Sequence, residues 1–219
     1  PIVYAFYISL YDWNALGTKT FVGIANYLRM IKDSTFKNSL LVTGKYAVIY
    51  VLAVYVLSLA AAVFVNSIKG NKRQQMCRIA IYLPNTVSTI VAATLWTFLF
   101  NSRNGYINKI LEELGIGRQL FLGSRTQALV CVAIVGIWIV FGYNMIIFLS
   151  ALKDVPSEYY EAAKIDGANA VQRFFRITLP SIKGTTIFVL ITSLVASFQA
   201  FDQVSCLLYT SPSPRDRTR

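Results

Sequence analysis

The chain has no histidine among its 219 residues, and its three cysteines, Cys77, Cys131 and Cys206, have no CxxC spacing. The commonest metal ligand is therefore missing and no metal site is expected. The cysteines lie in a basic loop, an apolar run and the terminal stretch, and they read as small buried or incidental residues rather than a disulfide set. No GxxxxGK[ST] stretch occurs, so the phosphate-cradling loop of a nucleotide hydrolase is absent. A polytopic membrane enzyme would need clustered catalytic His, Asp, Glu or Cys, and the pattern here does not supply them. Acidic residues are also scarce, with 10 Asp and Glu against 21 Lys and Arg and a net charge of +11.

What the chain has in abundance is apolar surface: 55% of residues are hydrophobic, 14% are charged, and the mean hydropathy is +0.53. A soluble helical protein would distribute these residues in amphipathic stripes, whereas here they come as unbroken runs. Tyr46 to Val65, Ile79 to Phe100 and Ala128 to Leu152 contain no Asp, Glu, Lys or Arg. Each reaches the roughly 20 residues that cross a hydrocarbon core of about 30 Å. Thr185 to Phe201 is a shorter run that can lengthen through Ile182 if Lys183 snorkels. Pro1 to Leu10 is too short to cross alone and reads as the tail of a span. The expected architecture is all-α, a polytopic membrane helix bundle with spans at about 1–10 (partial), 40–65, 79–100, 128–152 and 182–204.

The positive charge follows the same logic. Lys69, Lys72, Arg73 and Arg78 cluster without an acid between the second and third spans, as a short cytoplasmic loop requires, so nucleic acid is not needed to explain the basicity. Alternation then puts 11–38 and 101–127 outside and 153–183 inside. Tyr4, Tyr11, Trp13, Tyr82 and Trp96 near span ends suit interfacial belts. Pro84 falls within the third run and is followed by Asn85, Thr86, Ser88 and Thr89. It marks either a bent helix facing the bundle interior or a helix start beside the basic loop. The stretch 205–219, with SPSPRDRTR at its end, changes character and reads as a non-native or disordered tail.

The inward segment 153–181 has the grammar of helix, turn, helix. Pro156 and Ser157 form a start signal, with Ser157 able to cap and Glu158 and Glu161 complementing the helix dipole. Gly167 supplies the positive φ that reverses the chain, and a second helix is expected from about Asn169 with Val171, Phe174 and Phe175 on one face. Pro180 is expected to open the last span. Asp154, Glu158, Glu161 and Asp166 nearly balance the basic residues here, which disfavours anionic lipid as the partner of this loop.

Glu161, Ala162, Ala163, three residues, Gly167, nine residues, Ile177, one residue, Leu179 and Pro180 resemble the EAA signature of permease subunits of bacterial ATP-binding-cassette importers. The resemblance implies a type I importer permease fold of six spans, of which about five are present. It implies a multi-pass location in the cell membrane, a second permease subunit, ATPase subunits that bind ATP and Mg, and an extracytoplasmic solute-binding protein. The loop would be the coupling element, with Glu161 paired to a basic residue of the ATPase, Ala162 and Ala163 packed against it, and Phe174 and Phe175 tying the loop to its own bundle. Phe21, Gly23, Asn26, Tyr27, Asp33 and Phe36, then Arg78, Leu83, Pro84, Trp96, Phe100, Gly105, Ile107, Asn108 and Gly115, resemble the carbohydrate branch. That favours sugar or glycerol-phosphate uptake over polyamine or anion uptake. A secondary transporter is the competing class, but it predicts paired charges inside the spans, and these are scarce. Tyr143, Asn144, Ser197, Gln199 and Asp202 are the candidate polar groups of a solute path, with Asp202 either facing the interior or lying at the outer headgroup level.

Overall fold

The computed structural model describes residues 1–13, 17–199 and 207. Asp202, Cys206 and, apart from Leu207, the 205–219 tail lie outside the described residues. What is described is nearly all helical and divides into one unit over Pro1–Lys45 and another from Tyr46 onward.

In the first unit, α1 (Ile2–Ser9) leads into a two-stranded antiparallel ribbon, β1 (Tyr11–Asp12) against β2 (Thr20–Phe21), and then α2 (Ala25–Lys32). The end of α1 leaves carbonyls without helical donors. Asn26 answers them: its Nδ2 donates to the carbonyls of Ser9 at 2.9 Å and Tyr11 at 3.0 Å. The Tyr27 hydroxyl lies 2.6 Å from Ser9 Oγ, and the Phe21 ring meets Tyr11 edge-on at 5.3 Å. The residues singled out as F-x-G-x-x-N-Y thus fasten the end of α1 to the segment that follows.

Helix α3 (Ser34–Ser67) and helix α7 (Arg125–Lys153) are long and apolar enough to cross a membrane unbroken. The run expected as one span over 79–100 is instead broken. Helix α4 (Asn71–Tyr82) passes into a 3-10 turn (Leu83–Thr86), and α5 (Thr89–Leu99) leaves it with a bend of 95°. Of the two readings of Pro84, the bent helix is the one observed, because helical structure already begins at Asn71. The last run is bent as well, by 70° between the path 170–181 and α11 (Lys183–Phe198). If each bent pair is one span, four segments among the described residues are long and apolar enough to cross.

The broken span is held by local bonds at the turn and by contacts to its neighbours. Proline gives no N–H to the preceding turn. The Thr86 hydroxyl donates to the Leu83 carbonyl at 2.7 Å, and the Val87 N–H donates to that of Pro84 at 3.2 Å. Asn85 Nδ2 donates across to the Ile139 carbonyl of α7 at 3.3 Å. From the other side, Ser58 Oγ of α3 donates to the Phe141 carbonyl at 3.0 Å. Next along α7, Gly142 lies directly against the Ile81 carbonyl, and a Cβ there would overlap that carbonyl and lie 3.0 Å from Tyr82 Cα. Only a residue without a side chain permits so close a crossing, which brings the Cα hydrogens into contact with the carbonyl oxygen.

Two apolar clusters flank this crossing. One joins Tyr46, Tyr50 and Val54 of α3 with Ala92, Ala93 and Phe100 and the first half of α7. The other joins Leu59, Ala62 and Val65 with Met145, Phe148, Leu149, Leu152, Ile182 and Val189. Helices α3 and α7 therefore run in the same direction, and the basic loop after α3 lies at the same end as the segment after α7. Gln74 Nε2 donates to the Val65 carbonyl at 3.0 Å and Gln74 Oε1 accepts from Arg78 at 3.0 Å, so part of the basic loop is fastened to the end of α3. Trp96, expected in an interfacial belt, is instead turned inward against Trp138 and Phe100.

Gly142→Ala is expected to lower the thermal unfolding midpoint in detergent, with a cost of about 1–3 kcal/mol for overpacking. Gly44→Ala, where nothing lies within 4 Å, is the matched control. It should hold or raise the midpoint, since alanine is favoured over glycine within a helix by about 0.5–1 kcal/mol.

Candidate functional site

The segment after α7 folds as anticipated in outline and differs in detail. Helix α8 (Ser157–Ile165) begins at Pro156, with Glu158 in its first turn and Lys164 in its last, each favourable to the helix dipole. The expected cap by Ser157 is not made: Pro156 occupies the cap position and Ser157 is already helical. At the other end Gly167 has φ +77°, a backbone that L side chains rarely adopt. The Gly167 N–H donates to the Lys164 carbonyl at 3.1 Å and that of Ala168 to Ala163 at 2.9 Å, the paired bonds that close a helix through a left-handed residue.

The return path starts with a feature the sequence reading missed. Asn169 Oδ1 accepts from the Gln172 N–H at 2.8 Å, and Gln172 Oε1 accepts from the Asn169 N–H at 2.9 Å, a reciprocal cap. The Asn-x-x-Gln spacing was the available signal. The helix it opens is not a regular one. α9 (Ala170–Arg173) widens into a π-turn (Phe174–Thr178) and then a short α10 (Leu179–Ser181) before the bend at Ile182. Pro180 therefore does not open the last span. It lies inside α10, and α11 starts after the bend.

The extra residue of the π-turn also redistributes the aromatic face. Phe174 packs beside Leu179 against the cluster at the ends of α3 and α7. Phe175, expected to share that role, is 60% exposed, and Val171 is 65% exposed. Of the two phenylalanines, Phe174 alone packs against that cluster. On α8, Tyr160 OH lies 3.0 Å from the buried Thr178 Oγ1, a contact the sequence pattern did not indicate.

The signature residues sit where a second protein could meet them. Glu161 and Ala162 are exposed and Ala163 is half-buried. Among the described residues no cation is paired with Glu161. An apolar rim surrounds them, with Tyr159 at 56% and Ile165 at 87% exposure. Ile165 and Tyr159 add apolar area to the surface that carries the Glu161 carboxylate. Ile177 and Leu179 are half-buried on the return path, and Pro180 is exposed.

Among the described residues, no hydrogen bond joins the proposed solute-path residues to one another. Asn144 is buried and donates to the Val140 carbonyl of its own helix at 3.3 Å, while its neighbour Tyr143 is exposed. Ser197 is buried and donates to the Leu194 carbonyl at 2.6 Å, and Gln199 is exposed. Ser193, one turn before Ser197 and buried on the same face, was overlooked although the i, i+4 spacing was visible. A cleft of about 560 Å³ lined by Leu57, Phe64, Ile134, Ile137, Trp138 and Phe141 is almost wholly apolar. It lacks the hydrogen-bonding groups a sugar requires.

Long apolar helices around a crossing, with a compact two-helix loop at one end, describe a polytopic membrane helix bundle. The chain belongs to the family described as binding-protein-dependent transport system inner membrane component, which it matches over residues 54–212. It is 33% identical over 215 residues to the arabinooligosaccharides transport system permease protein AraP of Bacillus subtilis (strain 168), covering 98% of this chain and 67% of that protein. It is 32% identical over 214 residues to the trehalose/maltose transport system permease protein MalF of Thermococcus litoralis, covering 97% and 72%. The sn-glycerol-3-phosphate transport system permease protein UgpA of Salmonella typhi is 33% identical over 200 residues, covering 90% and 66%. The fold is shared with a bacterial ABC transporter involved in the import of the acidic polysaccharide alginate, at TM-score 0.81 and 20% identity, covering 96% of this chain and 72% of that one. The chain is a membrane-spanning permease subunit of an ATP-driven importer.

Asn169→Ala should destabilise the start of the return path by about 1 kcal/mol. Hydrogen exchange of the 170–173 amides in nanodiscs is expected to accelerate accordingly, with α7 unchanged.

Proposed function

We propose that this permease carries a sugar, most simply a short oligosaccharide, and that 153–181 is the loop through which a partner ATPase drives it. The observation that supports the substrate class is the 30%-level identity, along nearly the whole chain, to permeases named for arabinooligosaccharides and trehalose/maltose. In this reading an extracytoplasmic binding protein delivers the solute, and a second permease chain completes the path. The ATPase subunits bind ATP and Mg, while this chain performs no catalysis of its own. Tyr143, Asn144, Ser193, Ser197, Gln199 and Asp202 are candidates to line the path once the second chain is present.

The second reading, glycerol-phosphate, has its own support in the 33% identity to UgpA. Uptake into proteoliposomes holding the permease pair, its ATPase and its binding protein separates the two. Labelled maltotriose and arabinotriose are expected to accumulate on ATP addition, and accumulation of glycerol-3-phosphate alone would reverse the assignment.

The free carboxylate of Glu161 is the group expected to meet a basic residue of the ATPase. Glu161→Lys would place like charges together in a desolvated contact. Stranding one charge of such a pair costs about 3–5 kcal/mol, enough to reduce uptake by about 100-fold or more. Membrane content of the variant should equal the wild type, and uptake at the wild-type rate would remove Glu161 from the contact.

A further inference from the structure

We propose that the hydrogen bond between Tyr160 and Thr178 is the latch that makes the exposed helix α8 and the return path into a single rigid lever, so that a push on the loop reaches the last span. The proposal deepens the coupling role given to the loop above and rests on that reading for its purpose, although not for its geometry.

Helix α8 leaves α7 through the half-buried Val155 and rejoins the chain through the reversal at Gly167. Reversals of this kind hold two helices by one short stretch of backbone and leave their far ends free to splay. Tyr160 closes the far end. Its hydroxyl meets Thr178 Oγ1 at 3.0 Å, and Thr178 Oγ1 is in turn 3.5 Å from the Arg173 carbonyl. Because a carbonyl only accepts, the chain of donation runs from the tyrosine hydroxyl to the threonine hydroxyl to the Arg173 carbonyl. Among the described residues, no other side chain of α8 makes a hydrogen bond to the return path.

The far side of the latch falls on a structurally singular place. Arg173 and Thr178 bracket the π-turn, a widened turn that in an ordinary helix would revert to regular pitch. Thr178 is 7% exposed, so its hydroxyl has no water to replace a lost partner. Pro180, two residues on, already removes one rung of the helical ladder. Phe174, Leu179 and Ile182 seat this irregular path against the ends of α3 and α7, and the 70° bend at Ile182 then directs it into α11. A displacement of α8 would be absorbed at the Gly167 turn if the latch were absent. With it, the displacement moves the π-turn and the root of α11 together.

The test uses the full chain with its ATPase in nanodiscs, spin-labelled at the exposed positions Lys164 and Leu194, with ATP and vanadate as the trapping agent. The wild type should give one narrow label-to-label distance, the same before and after trapping. Tyr160→Phe and Thr178→Val should lose that narrow distance in the trapped state, and Thr178→Ser, which keeps the hydroxyl, should retain it. Narrow, unchanged distances in both Tyr160→Phe and Thr178→Val would overturn the latch, as would loss of ATPase co-purification in those variants, which would make the pair a determinant of docking. Failure of the wild-type chain to co-purify with the ATPase would instead count against the coupling role of the loop; in the chain alone a narrow wild-type distance that broadens in Tyr160→Phe would still support the latch, and a distance unchanged by that substitution would overturn it.

Discussion

Inside a bilayer, a backbone carbonyl that loses its helical donor has no water to turn to, and each such loss costs several kcal/mol if left unmet. A break such as that at Pro84 must therefore be held by its neighbours, and the holding contacts gather on one stretch of the unbroken helix α7, Ile139 to Gly142. There the Ile139 carbonyl accepts from Asn85, the Phe141 carbonyl accepts from Ser58, and Gly142 gives up its side chain to let the Ile81 carbonyl approach. Three segments are thereby fixed against a single helix at mid-depth. A broken span at Pro84 is tolerable because it is held there, and the two apolar clusters above and below can then form with α3 and α7 in register.

The parts of this fold set by hydrophobicity were legible from residues alone. Tyr46 to Val65 and Ala128 to Leu152 are helical throughout because nothing in them interrupts an apolar helix. The broken span was only half legible. Pro84 announced a defect, but its outcome depended on contacts from Asn85 and Gly142 to residues more than fifty positions away, and no local pattern encodes those. The π-turn was hidden for a similar reason. Val171, Phe174 and Phe175 have ideal spacing for one helical face, and the widened turn that separates Phe174 from Phe175 in burial meets Tyr160 of α8 at Thr178, a contact between separate elements.

Legibility of the candidate site divides along the same line. Glu161, Ala162, Ala163 and Gly167 form a local device whose geometry follows from short-range rules, and the structure presents Glu161 and Ala162 at the surface with the positive φ at Gly167. The solute-path residues were chosen for polarity inside apolar runs, a weaker criterion. Asn144 and Ser197 illustrate why: a short polar side chain on a buried helix face can satisfy itself on the carbonyl three or four residues back, and both do. Polarity at membrane depth therefore does not by itself distinguish a group waiting for solute from one already bonded to its own helix.

The contrast between the two ends of the loop explains how a small exposed element can act on a large buried one. Its outward surface carries the exposed Ile165 and a carboxylate, Glu161, that has no paired cation among the described residues. Its inward surface, with Phe174 and Thr178 buried, is already satisfied and resists rearrangement. Under the proposed coupling role, a partner bound to the first surface would leave the second undisturbed and move the loop as a body. The π-turn and the bend at Ile182 then lie on the shortest backbone route from that body to α11. Irregular helix at this point is consistent with a path that must change direction between a soluble partner and a span within the membrane.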